Sequence, residues 1–196
     1  MIEYNKTIAN LLKNVSNTNE GALLNNSDGC IQLQVELIER CLEKYRPKHI
    51  VETGTNKGYF SFIALSILDK YPEEVLINTF DMNQFSANAV QIVNSNFNRH
   101  KVVFHLGDST VTVKNFNPQK KVDLFFVDGG HTHYVATSDI KQAKRMNSPL
   151  ILIDDTGGQG VAQAIAEQLS DYKIIDETER SDDRRMKLYG KIGEIA

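Results

Sequence analysis

A chain of 196 residues, 41% hydrophobic and 24% charged, has room for one ordinary globular core and is neither disordered nor fibrous in composition. Its net charge of −3 is not gathered into a basic face, since Arg184 and Arg185 are answered at once by Asp182 and Asp183, and this argues against a nucleic-acid partner. Cys30 and Cys41 have neither redox nor zinc spacing, MIEYNKTIANLLKNV is no signal peptide, and no stretch nears the roughly 20 apolar residues of a membrane span, so a soluble cytoplasmic chain with no membrane partner is expected.

Apolar residues Ile8, Leu11, Leu12 and Val15 recur at helical spacing, and NTNEGALLNNSDG after them reads as a loop. The helical period returns at Leu33, Leu37, Ile38, Cys41 and Leu42, with Pro47 closing that helix. Two helices are therefore expected before the first strand. An alternation follows: HIVET as strand, GYFSFIALSILDKY as helix, VLINTFD as strand, QFSANAVQIVNSNF as helix and KVVFHL as strand. After a short connection come VDLFFVD as strand, YVATSDIKQAKRM as helix, PLILIDD as strand and GQGVAQAIAEQLS as helix. Continuous apolar strands separated by helices signify a mostly parallel sheet covered on both faces. YKIIDETE and RRMKLYGKI, joined by charged residues, fit a closing antiparallel hairpin. The expected fold is a doubly wound α/β sheet of seven strands in a single domain, residues 1–47 forming a helical cap segment and 48–196 the core.

Ligands of open α/β sheets bind beyond the carboxyl ends of the strands, and here four strands end there in acids: Glu52, Asp81, Asp128 and the pair Asp154 and Asp155. Carboxylates converging on one edge repel one another and call for cations or hydroxyl donors. In VETGTNKGYF, Gly54 and Gly58 allow a tight turn and close backbone approach to a bound group. The spacing is not that of the dinucleotide fingerprint, which weighs against a nicotinamide enzyme. Asp81 can accept from both hydroxyls of a ribose or cap the next helix. Asp108, in GDS, can accept from an exocyclic amine, while it or Ser109 can equally cap a helix.

The series VETGTNKG, FDMN, HLGDS, VDLFFVDGGH and ILIDDT resembles the class I S-adenosylmethionine-dependent methyltransferases, with a Rossmann-like fold, from about His49 to the end of the chain. The resemblance implies a cofactor site made of Glu52, Gly54, Thr55, Asn56 and Gly58 in the first loop, Asp81 and Met82 at the ribose, Gly107, Asp108 and Ser109 by the adenine, and Asp128. The three-glycine loop of that family is thinned here to Gly54 and Gly58.

The family's strand order would bring strands four and five side by side, so that Asp128, Asp154 and Asp155 could grip one divalent cation, Mg2+ being the best fit for carboxylates and water. Gly129 and Gly130 let the chain turn so that His131 looks back at the same place, and a neutral imidazole suits proton abstraction from a substrate hydroxyl. This set resembles the metal-dependent O-methyltransferases of the macrolide-sugar type, which implies a hydroxylated small molecule, a sugar or natural product, as methyl acceptor and His131 as general base. Glutamate often stands where Asp154 stands, which makes Asp155 the firmer ligand. Two other readings stand beside this one: metal-free N- or C-methylation, and a cofactor-binding module without chemistry. His133 is read as a substrate-site or surface residue, His49, His100 and His105 as structural or solvent-facing, and Tyr59 and Tyr134 as framing the pocket or packing. Self-association into a homo-oligomer is left open.

Overall fold

A computed structural model describes residues 30–179 and 182–195. The helix expected over Ile2–Val15 lies outside them. The described chain opens with α1 (Cys30–Tyr45), which stops just before Pro47, and continues β1 (His49–Thr53), α2 (Tyr59–Leu68), β2 (Leu76–Asp81), α3 (Ser86–Asn96) and β3 (Lys101–Leu106). It then runs α4 (Ser109–Asn115), β4 (Leu124–Val127), α5 (His133–Arg145), β5 (Leu150–Ile153), α6 (Gln159–Gln168), β6 (Tyr172–Glu177) and β7 (Lys187–Lys191).

The strands form one sheet of order β3-β2-β1-β4-β5-β7-β6. The first five pair in parallel, and β7 enters antiparallel between β5 and β6. Strand order reverses between β1 and β4, the place where a doubly wound sheet opens a crevice. The expected architecture is therefore the one observed, with one local difference. The connection between β3 and β4 contains the seven-residue helix α4, STVTVKN, started by Asp108, whose side chain accepts from Thr110 N. Its β-branched residues disfavour helix and carry no apolar stripe, so the cap and packing decide what propensity would not.

Successive strand residues point to opposite faces, and the two cores follow that period. Ile50, Leu124, Phe126, Leu150 and Leu152 pack with α1, α2 and α3 on one face, where the rings of Phe60 and Phe126 stack with centroids 4.1 Å apart. Val51, Phe125, Val127, Ile151 and Ile153 pack with residues of α4, α5 and α6 on the other. The helix α1 buries Leu37, Ile38, Cys41 and Leu42 in the first core. At its other side Arg40 grips Asp176 of β6 through Nε at 2.8 Å and Nη2 at 3.0 Å. The segment before β1 is thus fastened to the sheet.

Candidate active site

Beyond the carboxyl ends of β1, β2 and β4 lies a cavity of about 380 Å³. Gly54 and Asn56 line it from the loop after β1, Phe80, Asp81, Met82, Asn83 and Phe85 from the end of β2 and the turn after it, Gly107, Asp108 and Ser109 from the turn into α4, and Asp128, Gly129, Gly130 and Val135 from the segment between β4 and α5. Gly54 sits at φ +89, and a Cβ on it would come within 1.9 Å of the Asp128 carbonyl oxygen. Only glycine lets these two loops touch, and that contact shapes the back of the cavity.

Asp81 is held by the backbone: Asn56 N donates to its Oδ2 at 2.7 Å and Asn83 N to its Oδ1 at 2.8 Å. Each oxygen keeps acceptor capacity, in an orientation set before any ligand arrives. Asp108 caps α4, its Oδ1 accepting from Thr110 N at 2.9 Å and from Thr110 Oγ1 at 2.8 Å, while the residue also lines the cavity. The two readings of this acid are therefore compatible.

Three residues assigned to the cofactor by resemblance stand behind the wall instead of on it. Glu52 is 1% exposed and accepts from Ser61 Oγ at 2.6 Å. Burial pushes its carboxyl up to about 7. Thr55 is buried in a 2.6 Å hydroxyl contact with Thr79, and Gly58 provides the left-handed N-cap of α2. Conversely, Phe80, Asn83, Phe85 and Val135 line the cavity without having been singled out. Three of them sit in or beside FDMNQF, and proximity to the tip of β2 was the available signal. Asn83 contributes a backbone N–H to Asp81, which no side-chain pattern discloses.

Next to this cavity Asp128, His131 and Asp155 bring one carboxylate or imidazole atom each to within 4.8 Å of one another. His131 Nε2 lies 3.1 Å from Asp155 Oδ2 and 4.0 Å from Asp128 Oδ1. Asp155 reaches this position from a left-handed backbone, φ 51, a costly conformation for a residue with a Cβ and one that collects at functional sites. Asp154 stands outside the group. It continues the pleat of β5 toward α1, where Gln34 Nε2 donates to its two oxygens at 2.9 and 3.1 Å. Burial, and then the charge of Asp155, push Asp154 up to about 7. Desolvation in the cleft likewise raises Asp128 well above its ordinary value, followed by the charges of Asp154, Asp155 and Glu52. So many mutually opposed acids are what a cation would relieve, and the carboxylates of Asp128 and Asp155 are oxygen ligands that a hard divalent ion accepts, with the His131 imidazole standing beside them.

The other histidines lie away from the cavity lining. His49 is buried against Asn78 and the Lys120 and Lys121 carbonyls, His105 bonds Asn78 and stacks on Phe80, and His100 accepts from Val75 N. His133 begins α5 and pairs with Glu167 at 2.9 Å on the surface. Tyr134 is exposed, and Tyr59 packs against the first core. Neither lines the cavity.

A reversed-order parallel sheet closed by an antiparallel β7, with acid-tipped strands around a cleft at the switch point, defines the class I S-adenosylmethionine-dependent methyltransferase architecture. The chain belongs to the methyltransferase-domain family, whose model matches residues 51–156, more than half of it. No curated protein sequence is significantly similar to it. Among solved structures, an apo TDP-rhamnose 3′-O-methyltransferase of calicheamicin biosynthesis superposes with a TM-score of 0.64 at 17% identity, over 98% of this chain and 94% of that one. The O-methyltransferase from Bacillus cereus in complex with S-adenosylhomocysteine has a TM-score of 0.64 at 16% identity, over 95% and 91%. A ribosomal protein L11 methylase from Lactobacillus delbrueckii subsp. bulgaricus has a TM-score of 0.60 at 16% identity, over 85% and 80%. At these identities the likeness shows the fold, and acceptors as unlike as a sugar and a ribosomal protein share it. Among the described residues no helix is long and apolar enough to cross a membrane.

Proposed function

We propose that this enzyme methylates a hydroxyl of a small molecule, a sugar or natural-product scaffold, using S-adenosylmethionine and a divalent cation. The observation that carries the proposal is the meeting of Asp128, His131 and Asp155 beside the cavity, with Asp128 belonging to both. The rhamnose-modifying and S-adenosylhomocysteine-bound neighbours support the acceptor class and the cofactor.

When bound, the cofactor would supply an activated methyl group and the cation a positive charge that acidifies an acceptor hydroxyl. Asp81 would accept from the ribose hydroxyls, the Gly54 loop would take the amino-acid end, and Asp108 with Ser109 would border the adenine. Asp128 and Asp155 would hold the cation, Mg2+ being the best match, with Asp154 steadied behind them by Gln34. His131 would take the proton of the acceptor hydroxyl through an imidazole oriented by Asp155. Holding acceptor and methyl donor in line is worth more than the proton transfer itself.

The test is calorimetric titration with S-adenosylhomocysteine, paired with a methyl-transfer assay over sugar and natural-product acceptors before and after chelation. Binding should survive the chelator, whereas transfer should stop and return with Mg2+. His131→Ala should abolish transfer while Mg2+ still binds. Transfer that persists in chelator would favour a metal-free reaction run by the His131–Asp155 pair, and absence of cofactor binding would overturn the assignment.

A further inference from the structure

The helix α5 buries one stripe against the sheet: Ala136, Asp139, Ile140 and Ala143, the i, i+3, i+4, i+7 spacing of an amphipathic helix. Three of these are apolar, and the fourth is an acid with no exposed surface. Burying a carboxyl in an apolar stripe is costly, and an alanine or leucine there would serve packing better.

The surroundings of Asp139 give the acid a purpose. It lies behind Gly129, where a Cβ would come within 2.9 Å of Asp139 Oδ2 and 3.5 Å of Thr53 Oγ1, so the glycine of the cavity wall is matched to the carboxyl behind it. The hydroxyls of Thr53, at the end of β1, and Ser109, at the start of α4, favour its charged form against burial, which pushes the carboxyl up to about 6. Yet among the described residues neither Asp139 oxygen nor Thr53 Oγ1 completes a hydrogen bond of ordinary geometry. The buried Asp139 carboxyl and Thr53 hydroxyl thus stand together behind Gly129, near where the ends of β1 and β4 and the first turn of α4 meet, and two of those segments carry Ser109 and Gly129 into the cavity lining.

We infer that Asp139 is a positioning residue for the cofactor cavity, tying Thr53, Ser109 and the Gly129 segment together from behind and completing its hydrogen bonds when a ligand draws those segments inward. The inference rests on the cofactor reading above. Asp139 touches no reacting atom. Its contribution is to binding, because Ser109 and Gly129, which it ties, line the cofactor cavity.

The experiment measures S-adenosylhomocysteine affinity by calorimetry, and KM for S-adenosylmethionine against kcat, in the full-length wild type, Asp139→Ala and Asp139→Asn. Asp139→Ala should bind roughly ten-fold more weakly, the loss of about one buried polar contact, with kcat at saturation changed less than about three-fold. Asp139→Asn, which keeps an acceptor oxygen in the same shape, should recover most of that affinity. A purely structural role would lower the melting temperature and leave affinity and KM at wild-type values, and that result overturns the inference. Should Asp139→Ala fail to fold, Thr53→Val carries the test, since it deletes one hydroxyl at constant shape: binding weakened several-fold supports the role, and unchanged binding overturns it. Wild type that does not bind S-adenosylhomocysteine removes the cofactor reading and this inference together, whereas wild-type binding matched by Asp139→Ala removes the inference alone.

Discussion

Glu52→Gln is the substitution whose outcome the structure specifies most fully. Glu52, the penultimate residue of β1, is almost completely buried, and burial raises its carboxyl from an ordinary 4.5 to about 7, against the hydrogen bonds from Ser61 and Thr79. In the unfolded chain the same group ionises near its ordinary value. Below about 4.5 both states hold the proton and nothing is lost. As pH rises through 4.5 the unfolded chain ionises while the folded one does not, so stability falls, and the fall is complete once pH passes about 7. At about 1.4 kcal/mol for each tenfold change in proton affinity, the whole effect is roughly 3 kcal/mol. Glutamine keeps the acceptor for Ser61 and cannot titrate. Urea unfolding followed by circular dichroism at pH 5 and pH 8 should therefore find the variant's advantage over wild type growing by roughly 2 to 3 kcal/mol between those values. Asp128, Asp139 and Asp154 also titrate high, but they are common to both chains and largely cancel in the difference. Glu52 also raises Asp128, so its removal adds in the same direction. An advantage that stays constant from pH 5 to pH 8 would refute the assignment of a buried, half-neutral acid at this position.

Gly54→Ala places a Cβ on the Asp128 carbonyl oxygen at a positive φ, so it should cost more than about 1 kcal/mol in urea unfolding and weaken S-adenosylhomocysteine binding in calorimetry. The two adjacent acids should separate under Mg2+ titration: Asp155→Asn, within the Asp128–His131 group, should lose most of the Mg2+ affinity, whereas Asp154→Asn, which can still meet Gln34, should keep most of it.

Much of the cavity could be read from the chain because the chemistry sits at strand tips, and strand tips are local features. LINTFD, LFFV and LILI are apolar runs ended by an acid or followed at once by one, HIVET carries its acid one residue before its end, and the doubly wound rule places all such tips on one side of the sheet. Gly54, Asn56, Asp81, Met82, Gly107, Asp108, Ser109 and Asp128 accordingly line the cavity. What could not be read is how far each residue reaches. Glu52 and Thr55 flank Gly54, yet Glu52 turns with the β1 pleat toward Ser61 and Thr55 turns inward to Thr79. The helix α4 went unread because its residues favour strand, and only the Asp108 cap and its neighbours make it helical.

The alternation of apolar runs and helical periods is enough to determine a parallel sheet with helices on both faces, since burial follows period 2 in strands and 3.6 in helices wherever the chain folds back. The tertiary structure alone decided that Asp155 leaves the β5 pleat through a left-handed turn to meet His131, that Asp154 is taken up by Gln34 some 120 positions earlier in the chain, and that Asp139 stands behind Gly129. Each of these depends on how two separate elements pack against each other, and no local pattern of residues encodes the distance between them.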